Sequence, residues 1–334
     1  LQEVEPRTPL SSTGSTISIT QPGSYYLTGN VNATGNGIFI SANSVTLDLN
    51  GFAIIGDGIG IDSGVVIQDV PAGYITIRNG TIRNFGFRGV SSPFTGARVT
   101  LENLAIASCA FEGAFIEGDA QIINCTAEFN DAPGLPVDGV ARIDGSAANA
   151  NDSHGFWIES GLITNSTARD NTLNGFNLGS IVTNAGSVVT VNCVSKSNSQ
   201  EGFFSTDPVT LVNCHAVEND DFGFQLDNDA SLEGCIARQN GNVGILAGQS
   251  ATLSRCIASE NATNGIRGSS DTVIDSCSVT DNVTGIVAGT GGLVIRCFAA
   301  GNSTNYDMTS ADHGAIITPA GAFTSTNAFA NIAY

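Results

Sequence analysis

Lysine is nearly missing from this chain of 334 residues: Lys196 is the single example, and methionine and tryptophan also occur once each. Long helices draw on Ala, Leu, Glu and Lys, so a helical protein is excluded by composition. Positive charge is scarce as well. Twelve Lys and Arg stand against 31 Asp and Glu, a formal net charge of −19, which repels phosphate backbones and anionic bilayers and excludes nucleic acid as a partner. No run approaches the roughly 18 apolar residues of a membrane span, so no membrane insertion is expected. Proline is low at nine residues while glycine reaches 40, and 41% of the chain is hydrophobic. That is enough apolar material for a large core and rules out disorder. The start at Leu1 without Met, together with a Gly-, Ser-, Thr- and Asn-rich composition, leads us to expect a processed chain located outside the cell or on its surface.

What is present is a repeat. Cys193, Cys214, Cys235, Cys256 and Cys277 follow one another at 21 residues and Cys297 at 20. Upstream, Leu104, Cys125, Gly145 and Ser166 are read into the same slot, with a six-residue insertion around 179–185. Five positions after the slot stands an asparagine: Asn130, Asn171, Asn198, Asn219, Asn240, Asn261, Asn282 and Asn302. A Gly followed by Phe or Ile comes next, as in Gly202-Phe203, Gly223-Phe224 and Gly244-Ile245. A period of about 21 is too short for a helix pair and accommodates three short strands and three turns. In the coil 251–270 the strands are expected at Ala251–Leu253, Cys256–Ala258 and Gly265–Arg267, with Asn261 at a turn. About twelve such coils would stack at one strand spacing, about 4.8 Å.

The pattern Asn-Cys-x-Ala-x-x-Asn-x-x-x-Gly-Phe/Ile, repeated from about 100 to 302 and preceded by Ser-Val-Thr-Leu-Asp-Leu-Asn-Gly-Phe at 44–52, resembles the right-handed parallel β-helix, or pectin-lyase-like, superfamily. Residues 21–30 are similar to the start of secreted bacterial β-helix repeat proteins of unassigned activity. The resemblance implies an all-β solenoid along nearly the whole chain. It does not select a chemistry, because the superfamily includes lyases, hydrolases, epimerases, phage spikes, adhesins and structural proteins.

Eight cysteines in an exported chain suggest disulfides. In-register stacking at about 4.8 Å, however, exceeds the usual 3.5–4.5 Å Cβ separation of a bridge. Free, buried thiols are the expectation, and ligands along one line cannot form a zinc tetrahedron.

The galacturonase pattern of the superfamily is incomplete. Asp220-Asp221 and Ser153-His154-Gly155 are present, but in the wrong order and without Arg-x-Lys. Arg78, Arg83, Arg88 and Arg98 offer bases for lyase chemistry, or ordinary surface ion pairs. His154, Trp157 and Glu159, with Asp152 and the loop 133–138, form a candidate sugar site. Asp207, Asp227 and Asp229 form a candidate calcium site, the one cofactor considered.

Charge is also missing locally: none occurs between Arg7 and Asp48, and none after Asp312. We therefore divide the chain into an uncharged N-terminal arm or cap with the first coils at 1–47, repeats at 48–302 and an uncharged C-terminal cap or tail at 303–334. Open β-edges are ordinarily blocked by charge or a cap, so neutral ends suggest assembly. An N-terminal capping helix is not expected, because the first 23 residues lack helical periodicity. If Cys256 and Ala258 face inward, the slot between them faces out and holds Val194, Ile236, Ile257 and Phe298. With Phe323, Phe329 and Tyr334 in the tail, these are the candidate assembly residues. The expected function is a secreted, self-associating structural subunit, a fibre or surface layer without a catalytic centre. The alternative is a polysaccharide-active or sugar-binding protein.

Overall fold

The computed structural model describes residues 7–12, 14–68, 70, 73–179, 187–308, 311–318 and 327–333. These residues form forty strands and no α-helix, and the paired strands run parallel in a solenoid of about 14 turns, against the twelve expected. The chain divides into two compact units, Leu1–Gly161 and Leu162–Tyr334.

In the second unit the repeat has a direct physical reading. Strands such as Ile236–Arg238 and Ile257–Ser259 pair residue for residue at a 21-residue offset. Between strands the chain bends through single residues in the left-handed region. One corner column precedes the cysteines: Asn192 (φ 55), Asn213 (φ 51), Gly234 (φ 63), Arg255 (φ 55) and Ser276 (φ 57). A second precedes the asparagines, as at Glu218, Gln239 and Glu260. Asn and Gly tolerate this region best, which explains their frequency in the first column; the second is held mostly by other residues.

Asparagine satisfies the backbone of the second corner. Asn240 Oδ1 accepts the Asn219 backbone N–H at 3.1 Å and its side-chain amide at 3.0 Å. Its own amide donates to Asn261 Oδ1 at 2.9 Å and to the Ala216 carbonyl at 3.1 Å. Each rung thus orders the turns on either side. The following glycine is required by the same ladder: a Cβ on Gly223 would lie 2.7 Å from Asn240 Nδ2 and 2.6 Å from the Gly244 carbonyl oxygen. Phe176, Phe203 and Phe224 then stack inside, with ring centroids 4.7 and 4.9 Å apart.

All eight cysteines are buried free thiols. Cys214 Sγ donates to the carbonyl of Thr190 or of Val212, both at 3.5 Å. Burial pushes the Cys109 and Cys125 thiols up to about 11. In the column, Cys193 and Cys235 are raised by hydrogen bonds to neighbouring thiols and then by burial.

The first unit corrects the expected alignment. Thr126 pairs with Ala147, and the Cys125 N–H bonds Ser146 Oγ at 3.2 Å. The slot is therefore Ser146, and Gly145 is the left-handed corner before it (φ 59). With the frame moved by one, Asn151 becomes a rung: its Oδ1 accepts the Asn130 side-chain amide at 2.9 Å. Cys109 lies outside the cysteine column, whose slot in that turn is Leu104. Its N–H bonds Asn130 Oδ1 at 3.1 Å, so it occupies the asparagine position of its turn.

The uncharged segments form turns. Residues 8–10 pair with 25–27, and 17–19 with 38–40. Asp48 anchors this region, accepting bonds from Asn50 N at 2.9 Å, Asn79 Nδ2 at 3.1 Å, Arg78 Nε at 3.2 Å and Arg7 at 3.1 Å. Burial opposes its charge, but Asn50, Asn79 and Arg78 together hold the carboxyl below its usual range. In the second unit, Ile332 pairs with Phe298, and buried Asn331 accepts the Cys297 N–H at 2.9 Å. Tyr306 Oη donates to the Cys297 or Ile332 carbonyl, both at 2.9 Å. Residues of the C-terminal segment thus cover the end of the cysteine column.

Candidate functional site

Strands that follow the Gly-apolar step alternate inward and outward, so outward residues stack in columns. In the first unit Ser91 pairs with Phe115, and Ile116 with Val137. The Leu135 N–H bonds the Gly155 carbonyl at 3.0 Å, which carries the register one turn further. One outward-pointing column is therefore Phe115, Pro136 and Trp157, of which Phe115 and Trp157 are half-buried and Pro136 is buried. The neighbouring outward column is Glu117, Asp138 and Glu159. Both advance by 21 residues per turn.

Arg88 braces one end of this face. It forms a two-pronged pair with Glu112, at 2.6 and 3.2 Å. Its guanidinium lies 4.1 Å from the Phe115 ring centroid, 4.5 Å from Phe87 and 5.6 Å from Phe111. The pair positions Phe115 and shields Glu112. Two of the other arginines read as candidate bases or ion pairs are likewise paired, Arg78 with Asp48 and Arg98 with Asp119 at 3.5 Å. Arg83 lies at the surface.

His154 is half-buried and meets Trp157 edge-on at 5.6 Å. Burial lowers its imidazole to about 4, so it is neutral at pH 7. Asp138 behaves in the opposite sense. Partial burial of its carboxyl, then the charges of Glu159, Glu117 and Glu112, raise it above the ordinary range, with Arg88 opposing. The structure brings Trp157 and Glu159 onto adjacent columns and sets His154 against the Trp edge; Asp152 is exposed on the preceding turn. The sequence reading did not include Phe115, Glu117 and Glu112, although the 21-residue step from Trp157 and Glu159 leads back to the first two; it had Asp138 only as the end of the loop 133–138, most of which is strand Leu135–Asp144.

The proposed calcium ligands are not gathered. Asp207 is buried beside Gly179, where an added Cβ would meet its Oδ2 at 2.6 Å. Asp227 Oδ1 accepts the Asn228 N–H at 2.8 Å, and Asp229 is a left-handed corner (φ 58). Among the described residues no group of three or more His, Cys, Asp or Glu can hold a metal ion. Asp227 instead borders a shallow groove of about 300 Å³ floored by Phe204, Gln225 and Leu246.

Of the candidate assembly residues, Ile236, Ile257 and Phe298 share one outward column in the second unit, and the latter two are 42% and 36% exposed. Phe329 is 54% exposed, its ring 6.0 Å from the Arg296 guanidinium. Phe323 and Tyr334 lie outside the described residues.

Comparison with known proteins agrees with this architecture. Residues 112–252 match the family described as the right handed beta helix region. No curated protein matches the sequence. Among solved structures, the A-module of Azotobacter vinelandii mannuronan C-5 epimerase AlgE4 is similar at 16% identity, over 87% of this chain and 90% of that one, with a TM-score of 0.58. The AlgE6 A-module from the same organism follows at 14% identity, 93% and 89% coverage and a TM-score of 0.50. At these identities the likeness is one of fold. By strand pairing and structural similarity the chain has the right-handed parallel β-helix fold, and its residues 112–252 match the family model of that name.

Proposed function

We propose that this is an exported glycan-binding protein whose first unit grips a neutral polysaccharide on the outward face carrying Trp157. The observation behind this reading is the pairing of two partly exposed aromatic residues, Phe115 and Trp157 on either side of the buried Pro136, with a parallel column of three carboxylates at the same 21-residue step. Aromatic faces pack against the apolar faces of pyranose rings, and carboxylates accept hydrogen bonds from sugar hydroxyls. A repeating polymer suits a surface whose contacts recur at every strand spacing. The net charge of −19 and the carboxylate column disfavour a polyanion, so the acidic polymer in the name of the epimerase A-modules is not the ligand we assign. A glycan array carrying neutral and uronate polymers tests this. Neutral glycans should be retained, and Trp157→Ala should lower affinity at least tenfold. Retention of uronates alone, or binding indifferent to Trp157→Ala, contradicts the reading.

Hydrolysis is a second reading, favoured by one observation: Asp138 is raised between Glu117 and Glu159, as a general acid must be. It requires new reducing ends from a bound glycan and their loss in Asp138→Asn. Assembly through the uncharged ends has less support, because Asn331 and Tyr306 tie C-terminal residues to the cysteine column and the edge strands there, Asp312–His313 and Ile316–Ile317, are short.

A further inference from the structure

We infer that the second unit carries a two-fold, antiparallel self-association surface, with a second copy of this chain as its partner. Its centre is one outward column, in order Val194, His215, Ile236, Ile257, Ser278 and Phe298, fixed by the strand register. Read as apolar, polar, apolar, apolar, polar, apolar, the column is the same in either direction. Thr167 precedes it and Ile332 follows it. Reversing one copy about the midpoint of Ile236 and Ile257 places Ile236 on Ile257, His215 on Ser278 and the small Val194 on the large Phe298. An isologous interface must be self-complementary in this way.

The two ion pairs beside the centre of the column obey the same symmetry. Arg238 pairs with Glu260 at 2.9 Å on one side, and Arg255 with Glu233 on the other. Reversal about the same midpoint brings Arg238 opposite Glu260 of the second copy, and Glu233 opposite its Arg255. Each existing ion pair then becomes half of a four-charge cluster, and no like charges meet among these residues. An apolar centre with a charged rim of matched sign is the anatomy of a specific interface. The column spans about 24 Å at strand spacing, which fits a small interface and a weak, concentration-dependent dimer. A parallel two-fold arrangement would also match charges, Arg238 meeting Glu233, but it sets Phe298 against itself and makes no use of the palindrome.

Cross-linking tests the geometry on the full chain, where the eight native thiols are buried. Mixed under oxidising conditions, Val194→Cys and Phe298→Cys variants should form a disulfide-linked dimer between them. Neither alone should do so, because like positions lie about 24 Å apart in the antiparallel pair. In sedimentation velocity the parent should dimerise with rising concentration. Ile257→Asp should abolish the dimer with an unchanged circular dichroism spectrum. Arg238→Glu should weaken it at least tenfold, and adding Glu260→Arg should restore it. Cross-linking of Val194→Cys with itself, failure of the double charge reversal to restore the dimer, or a parent that is monomeric at every concentration would overturn the inference. Glycan binding at Trp157 is untouched by any of these outcomes.

Discussion

The interior of the second unit and the outward face of the first use the same 21-residue step to different ends. Inside, one residue type holds a slot for turn after turn: cysteine from 193 to 297, asparagine from 171 to 302. Each asparagine there bonds its counterpart on the next turn, so a departure breaks two neighbours at once, while the cysteines reach backbone carbonyls. On the outward face the step leads from Phe115 to Pro136 to Trp157, and from Glu117 to Asp138 to Glu159. Those positions are aligned equally well, but nothing in the fold requires them to match. The interior repeat therefore supplies stability, while identity varies outside, where a ligand would be met.

The largest effect should come from the interior. Phe203 is fully buried between two rings, and Phe203→Ala should cost about 3–5 kcal/mol in chemical denaturation. A loss below about 1 kcal/mol would mean that the stack does not support the unit. Next is Asn240→Leu. It leaves the Asn219 N–H and amide without their acceptor, at about 1–3 kcal/mol for each buried group so orphaned. An unchanged melting temperature would break the claim that the ladder is structural. On the outward face Trp157→Ala should shift stability by about 1 kcal/mol or less, while removing glycan retention. A large loss of stability there would erase the distinction between the two regions.

The smallest effect is one of pH. His154 has its folded value lowered from 6.5 to about 4, so the unfolded chain binds the extra proton first. Its contribution to stability is complete above about pH 6.5 and declines as pH falls toward 4. His154→Gln should flatten the dependence of the unfolding midpoint across that window. A midpoint in the parent that rises on acidification from pH 6.5 to 4 would contradict the burial assigned to this ring.

The same contrast explains what could be read from the sequence. Cysteine and asparagine repeat as letters, so the solenoid, the inward slots and the outward placement of Ile236, Ile257 and Phe298 could be inferred without coordinates. The frame slipped where the letters changed. Gly145 invited alignment with cysteine, yet a left-handed corner selects glycine, and the inward residue is Ser146; Asn151 was missed with it. Phe115, Glu117 and Asp138 share no letter pattern, only position. The expected calcium ligands share acidity and proximity in sequence, but one is buried and another is a corner. Residue type alone could not show that.

Trp157 is the single tryptophan of the chain, so its fluorescence reports one position. Titrating the full chain with the neutral oligosaccharide best retained on an array should give a saturable change in emission, with the same dissociation constant as calorimetry, and Asp138→Asn should weaken it. Calorimetric binding with no change in tryptophan emission would place the ligand elsewhere and contradict the assignment of the glycan-binding face.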